Sequence, residues 1–218
     1  MTRSRAAALL DGPVEVVAPR LLGAAVHVGG VVVRLTEVEA YDGADDAGSH
    51  AFRGPTSRNA VMFGPAGRLY CYLSYGMHVC ANVVTGPEGR ASAVLLRAGE
   101  VVAGLDLARV RRGDRPAHEL ARGPANLCRA LGIGLDHGGT ALLGPASVVR
   151  LVPAARAAQP PVSSVRSGPR VGLTQEPDRP WRFWLAGERS VSAYRRSPRA
   201  APPPPSPDPR FDAPRTRC

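Results

Sequence analysis

Short apolar runs rich in valine and leucine, separated by glycine and proline turns, constrain the fold of this chain more than any other feature. Residues 24–27 and 31–38 flank the pair Gly29-Gly30, and this arrangement predicts two strands joined by a tight turn. Further strands are predicted at residues 69–73, 79–84, 91–97, 141–152 and 181–185. The chain should therefore fold around a β-sheet.

Apolar residues at helical spacing interrupt these strands. They predict helices over residues 14–22, 101–112 and 125–131. Helices and strands alternate irregularly, so we predict an α+β fold rather than βαβ repeats. With 218 residues, 44% of them hydrophobic, one domain suffices to bury a core. We assign residues 14–194 to this domain and residues 1–13 to a flexible N-terminus.

The C-terminal segment has a different composition. From Arg195 onward, prolines and arginines are interleaved with almost nothing apolar, so we predict that residues 195–218 form a disordered tail. A solvated low-complexity end is the simpler interpretation of this tail. An arm that contacts phosphates without sequence preference is the alternative.

The charge of the chain points to its partner. The formal net charge is +10, which favours a polyanionic partner, and nucleic acid over an anionic membrane. All 28 basic residues are arginine, since the sequence contains no lysine. A chain without lysine cannot form a side-chain Schiff base with an aldehyde sugar, so lysine-based lyase chemistry is excluded.

The cysteines and the N-terminus indicate the compartment. Cys71, Cys80, Cys128 and Cys218 form no C-x-x-C pair and have no histidine at zinc-ligand spacing, so we expect reduced, mostly buried thiols and no metal. The apolar run at residues 6–10 is too short for a secretion signal. No run approaches the roughly 20 residues that span a bilayer. We expect a cytoplasmic protein associated with the nucleoid.

Most of the chain's few rings lie between residues 37 and 82. Aromatic residues make up only 5% of the chain, yet four of its five tyrosines fall in this window. The candidate residues of the window are Glu37, Glu39, Tyr41, His50, Arg58, Asn59, Tyr70, Tyr72, Tyr75 and Asn82. Each alone is more often a core or surface residue. Together, an acid, stacking rings and an amide in a basic chain describe a pocket for a nucleobase beside a polyanion.

Two acids alternate at the end of a predicted strand. Glu37, Glu39 and Tyr41 share one face of an extended chain. Sugar hydrolases use paired carboxylates separated by roughly 5 to 10 Å, and this spacing falls near the low end of that range. Taken alone, the pair is better explained as a solvent-exposed acidic strand end.

Several motifs in order make the sequence recognisable as similar to a known family. The matching segments are residues 20–23, 36–41, 49–50, 56–59, 62–63, 69–82, 93–98, 123–128 and 170–172. They resemble the alkyladenine (3-methyladenine) DNA glycosylase family, over roughly residues 14–194. The resemblance implies one mixed α/β domain around a curved antiparallel β-sheet. It also implies that the partner is double-stranded DNA with alkylated or otherwise damaged purines, and that water is the only co-reactant, without a cofactor.

The resemblance also implies a role for each matching residue. Glu39 would orient and deprotonate the attacking water, with Arg97 near that water and the nucleotide backbone, and Glu37 in support. The residues that would line the base pocket are Tyr41, His50, Tyr72, Asn82 and Leu95, with Asn82 crowding the amino group of normal guanine. Tyr75 would insert into the vacated base stack.

Two residues that match the family and one residue that differs from it each allow more than one role. Arg58 and Asn59 either contact the DNA backbone or hold the turn at Met62-Phe63. His78 stands where an aromatic residue is familiar in the family, and it could alter how Tyr75 is presented.

The functional prediction is a monomeric, monofunctional DNA glycosylase that leaves an abasic site. A catalytically silent binder of alkylated DNA is the first alternative, although it has no use for Glu39. A hydrolase of small nucleosides is the second, and it would lack salt-sensitive duplex binding. The sequence does not decide between 3-methyladenine, hypoxanthine and ethenoadenine as lesions.

Overall fold

The structure is a computed structural model that describes residues 5–202. Over this range the helices are α1 (Arg5–Leu9), α2 (Val14–Arg20), α3 (Leu105–Arg112) and α4 (Pro124–Leu131). The strands are β1 (Ala25–Val28), β2 (Val31–Tyr41), β3 (Leu69–Ser74), β4 (His78–Val84), β5 (Ala93–Ala103), β6 (Val149–Val152), β7 (Val165–Gly168) and β8 (Arg182–Leu185). Short 3-10 turns connect them, among them Ala60–Phe63.

The strands form one open, antiparallel sheet in the order β3-β4-β5-β2-β1-β6. Strand β2 is its centre, because β5 pairs along one edge while the other edge is shared by β1 and then β8. The register between β2 and β5 shifts on both sides of Glu37. Such bulges bend a strand and increase its twist. The sheet therefore curves near Glu37, where the neighbour of β2 along one edge changes from β1 to β8.

Alternation along the strands divides the sheet into two different faces. Val38, Ala40, Val94 and Leu96 point into the main core, which α2 and α4 help to cover. The residues between them therefore point to the opposite face. Helices cover one face of the sheet, and aromatic and charged side chains lie on the other face.

The predicted α+β class and antiparallel sheet are confirmed, and several predicted boundaries were wrong. Strand β2 runs through Tyr41, so Glu39 lies within the strand and not at its end. The helix predicted at residues 101–112 begins only at Leu105, because β5 continues to Ala103 and Gly104 turns with a φ of 73°.

Two strands of the sheet's outer part also differ from the prediction. In the segment 141–152 only Val149–Val152 is a strand, and β7 was not predicted at all. Arg166 and Ser167 in β7 are exposed, so this strand carries no apolar pattern that a sequence search could detect.

Packing and hydrogen bonds continue beyond both ends of the predicted range 14–194. Leu10 is fully buried in the main core, and its carbonyl accepts a bond from Gly86 N at 3.2 Å, so the packed unit begins before residue 14. At the other end, the carbonyl of Arg195 accepts from Gly172 N at 2.9 Å. The rest of the predicted tail, residues 203–218, lies outside the described residues, as do residues 1–4.

The described cysteines are free thiols. Cys80 and Cys128 are buried and Cys71 is half-buried. Burial raises the pKa of Cys71 to about 12. Cys218 lies outside the described residues. Within residues 5–202, no helix is long and apolar enough to cross a membrane.

Candidate active site

The candidate residues meet on the face of the sheet opposite the helices. Cross-strand register places Glu39 of β2 opposite Leu95 of β5, Leu95 opposite Asn82 of β4, and Asn82 opposite Tyr70 of β3. Directly opposed residues in antiparallel strands project to the same side of a sheet. Four strands thus place an acid, an apolar wall, an amide and a phenol in one row.

Glu39 is a fully buried carboxylate with a partner on each oxygen. Its Oε1 accepts the N–H of Val171 at 2.8 Å, and its Oε2 accepts the hydroxyl of Tyr41 at 2.9 Å. Arg97 Nη1 lies 3.5 Å from Oε1. Burying a carboxylate is costly unless it is paired and hydrogen-bonded, and these three groups meet that requirement.

Glu39 and Arg97 line a cleft of about 370 Å³ that also touches Tyr72, Tyr75 and Val171. Burial, followed by the nearby charge of Glu39, raises the pKa of Tyr41 well above its ordinary value. Tyr41 therefore stays protonated and serves as a donor to the carboxylate. The wall of this cleft therefore contains an oriented carboxylate and a fixed cation.

Glu37 has a different environment although it lies two residues away. Its Oε1 accepts from Arg97 Nε at 2.7 Å, from Arg182 Nε at 2.6 Å and from Ser192 Oγ at 2.9 Å. Its Oε2 accepts from Ser192 N at 2.6 Å. Burial disfavours the charge of Arg97, but Glu39 and then Glu37 outweigh it and raise the pKa of Arg97.

The interpretation of these acids as an exposed strand end was therefore wrong, because both carboxylates are fully buried. Four donors surround Glu37, and one of them belongs to Arg97. The two acids therefore have different surroundings, since Glu39 lines the cleft and Glu37 does not.

Three rings form a compact aromatic corner next to Glu39. Tyr70 and Tyr72 are stacked at 5.7 Å between centroids, and His50 meets Tyr72 edge-on at 4.5 Å. His50 Nδ1 also lies 3.2 Å from the hydroxyl of Tyr70. Partial burial and then the cation of Arg58 lower the pKa of His50, which favours its neutral form.

A smaller cavity of about 70 Å³ adjoins the cleft and shares the walls Tyr41, His50 and Tyr72 with it. Asn82 lines this smaller cavity, and its Nδ2 donates to the carbonyl of Tyr70 at 3.2 Å. Because that bond fixes the amide, Asn82 presents a rigid polar edge. Tyr70 also lines this cavity, although the sequence analysis gave it no role.

Tyr75 lies at the tip of the β3–β4 hairpin. It is 86% exposed and has a φ of 51°, followed by Gly76 at 72°. A left-handed conformation costs a non-glycine residue roughly 1–2 kcal/mol, so this turn stores strain at the position of an exposed ring. His78, the departure from the family pattern, is exposed beside the tip of the same hairpin, where it pairs with Ser74.

Arg58 and Asn59 differ in how many of their side-chain polar atoms form hydrogen bonds within the protein. Asn59 is buried, its Oδ1 accepts from Thr56 N at 2.6 Å, and its Nδ2 donates to the carbonyls of His50 and Gly54. Asn59 therefore holds the loop that carries His50 and has no side-chain atom free for phosphate. Arg58 is exposed, and it donates to the carbonyl of Leu73 at 3.2 Å beside the Tyr72 ring.

Sequence reasoning missed the residues that hold Glu39 and Glu37 from the C-terminal part of the chain. Val171 acts through its backbone N–H, and Ser192 acts through its backbone N–H and its hydroxyl. Backbone groups have no sequence signature. Arg170 to Gly172 matched the family as a motif, and this match was the one available signal. The described residues contain no group of three or more His, Cys, Asp or Glu side chains that could hold a metal ion.

The chain folds as an open antiparallel sheet with a buried carboxylate, an aromatic corner and an exposed hairpin ring. Comparison of its sequence with known protein families identifies the class of protein that has this site. Residues 8–189 match the family model described as Methylpurine-DNA glycosylase (MPG). The chain belongs to this family, and the resemblance stated from the motifs is confirmed.

Individual relatives agree with this assignment. A protein of Nocardia farcinica named "Putative 3-methyladenine DNA glycosylase" is 60% identical over 190 residues, which cover 84% of this chain and 88% of the relative. Proteins with the same name from Frankia casuarinae and Cutibacterium acnes are 56% and 50% identical, over 85% of this chain and 90% and 98% of theirs.

Proposed function

We propose that this protein is a monofunctional DNA glycosylase that flips alkylated purines of the 3-methyladenine type out of duplex DNA and hydrolyses the N-glycosidic bond. The observation that carries the proposal is Glu39, a buried carboxylate oriented by Val171 N–H and Tyr41 and facing a cleft beside Arg97. A carboxylate oxygen has two lone pairs, so each still has room to accept a bond from water.

The chemistry needs a base and an anion at the same place. Glu39 takes a proton from water as the water attacks the anomeric carbon, and its charge stabilises the oxocarbenium-like centre that forms. Arg97 lies where it can orient the water or a phosphate. An alkylated purine is already cationic, so it departs with the bonding electrons as a neutral base.

Recognition of the flipped base is assigned to Tyr41 together with His50 and Tyr72 of the aromatic corner. Tyr41, His50 and Tyr72 offer ring surfaces to a cationic purine, and base stacking on such rings contributes about 1–3 kcal/mol each. Tyr75 fills the space that the flipped nucleotide leaves in the duplex. The amide of Asn82 disfavours purines that carry an extra amino group at its edge.

The product is an intact abasic site. A lysine-based lyase cleaves the strand through a Schiff base between the lysine amine and the opened sugar, and the sequence contains no lysine. We therefore expect the phosphodiester backbone to break only after alkali treatment.

The test combines methylated DNA with duplex oligonucleotides that carry hypoxanthine or 1,N6-ethenoadenine. Wild type should release 3-methyladenine, and Glu39→Gln should lower the single-turnover rate by about 10²–10⁴-fold while lesion binding persists. Equal rates in the two proteins would contradict the mechanism. Lesion binding without release by wild type would favour a silent binder, and release from free nucleosides alone would favour a nucleoside hydrolase.

A further inference from the structure

A buried ion pair lies directly behind the candidate active site. The guanidinium of Arg170 donates to Asp46 through Nη1 at 2.5 Å and Nη2 at 2.7 Å, and both side chains are fully buried. Removing two charges from water costs several kcal/mol per ion, and apolar residues of similar volume often stabilise a fold equally well. Stability alone therefore does not explain why an ion pair occupies this position.

Arg170 contacts the segment of β2 that contains the catalytic carboxylate. Its Nη1 also donates to the carbonyl of Ala40 at 3.0 Å, and its guanidinium lies 4.7 Å from the centre of the Tyr41 ring. The next residue, Val171, donates its N–H to Glu39. Three consecutive residues of β2 are thus held by two consecutive residues of one loop.

Asp46 holds this loop in turn from the far side. Its Oδ1 accepts from Gly48 N at 2.9 Å, and its Oδ2 accepts from Asp42 N at 3.2 Å. Arg179 Nη1 lies 3.8 Å from Oδ1 and its guanidinium covers the Trp181 ring at 4.0 Å. These contacts hold the carboxylate of Asp46 in place from several sides. Asp46 can therefore hold the guanidinium of Arg170 in place.

We propose that Arg170 and Asp46 form a positioning pair that holds Val171 N–H and Tyr41 on the two oxygens of Glu39. The proposal rests on the proposed function, in which Glu39 activates water. Neither member of the pair touches substrate. The pair sets the direction of the Glu39 lone pairs toward the cleft, and a displacement of about 1 Å at such a site can cost as much as 10²-fold in rate.

The experiment compares wild type with Arg170→Lys, which keeps the charge but loses the two-pronged geometry, and Asp46→Glu, which keeps both charges but lengthens the arm. Single-turnover excision is measured at saturating enzyme on 3-methyladenine DNA. Affinity is measured separately on a duplex with a lesion nucleotide that resists cleavage. Both variants should lose at least about tenfold in rate, with affinity within about twofold of wild type.

The matched control is Arg34→Lys, on the strand that carries Glu39. Arg34 pairs with Glu100 at 2.6 Å and Glu188 at 2.8 Å, at the opposite end of β2 from Glu39. This variant should excise at the wild-type rate. A general loss of rate from disturbing any ion pair that contacts β2 would appear in it as well.

The outcomes separate the two proposals. Wild-type excision that depends on Glu39, with normal rates in Arg170→Lys and Asp46→Glu, would overturn the positioning pair and leave the glycosylase. Proportional losses of rate and affinity, or failure of both variants to bind lesion DNA, would make the pair a folding determinant only. If wild type releases no base, the proposed function fails and the positioning pair fails with it.

Discussion

At the scale of single residues, two identical side chains on one strand have different surroundings. Glu37 is surrounded by Arg97, Arg182 and Ser192, whereas Glu39 faces a cleft. The sequence placed both acids on one face, which the structure bears out. It gave no sign of the second arginine or of the serine, since these partners are 145 and 155 residues away.

Glu37→Gln should destabilise the protein strongly, because it leaves two buried guanidinium groups without their shared anion. Loss of one partner of a buried pair costs about 3–5 kcal/mol in the free energy of unfolding, measured by denaturant titration. Glu100→Gln is the control, since Glu100 is 49% exposed beside Arg34 and should cost less than about 1 kcal/mol. Similar values for the two variants would mean that the Glu37 cluster is not a structural centre.

His50 should titrate below its ordinary pKa near 6.5, because partial burial and Arg58 disfavour its cation. As pH falls below 6.5 the unfolded chain binds the proton first, so the contribution of His50 to stability declines in that range. NMR titration of the ring protons measures this pKa. Arg58→Gln should raise it and Arg53→Gln, in the same loop, should not; an unchanged value in Arg58→Gln would contradict the assigned cause.

At the scale of elements, the β3–β4 hairpin combines packing and function in one short unit. Alternation places Leu69 and Cys71 against the main core and Tyr70 and Tyr72 in the aromatic corner. The sequence predicted both strands and the turn. It did not predict the left-handed conformation of Tyr75, because glycine is the residue that usually adopts it.

Tyr75→Gly should separate the strain of the hairpin from its role on DNA. Glycine tolerates the positive φ, so the melting temperature should stay equal or rise, while lesion binding weakens about 5- to 100-fold through lost stacking. Fluorescence anisotropy and thermal denaturation measure the two effects. Val162→Ala shortens another exposed apolar side chain and should change neither; normal binding by Tyr75→Gly would exclude insertion into the duplex.

At the scale of the whole molecule, most of the positive charge lies before residue 203. Residues 203–218 contain three arginines and two aspartates, a net +1, so +9 of the total +10 remains in residues 1–202. Affinity for duplex DNA falls with salt in proportion to the phosphates that are neutralised. The domain should therefore carry most of this dependence.

A protein truncated after Pro202 should bind undamaged duplex with a salt dependence close to that of the full chain. We expect the slope of log K against log salt to change by less than about 1, measured by anisotropy between low and physiological salt. A slope that falls by 2 or more would support the alternative interpretation of the tail as a phosphate-contacting arm. Excision by the truncated protein serves as the control for folding.

The sequence by itself determined the class of fold, the family and the strands that carry the acid and the rings, because periodicity and ordered motifs are local properties. Only the tertiary structure decided which acid faces the cleft, since that depends on Val171, Arg182 and Ser192, which reach β2 from distant loops. The register that aligns Glu39 with Leu95 and Asn82 is also tertiary. Hydrogen bonds from backbone groups and pairing between strands are set by packing, and no local pattern of side chains encodes them.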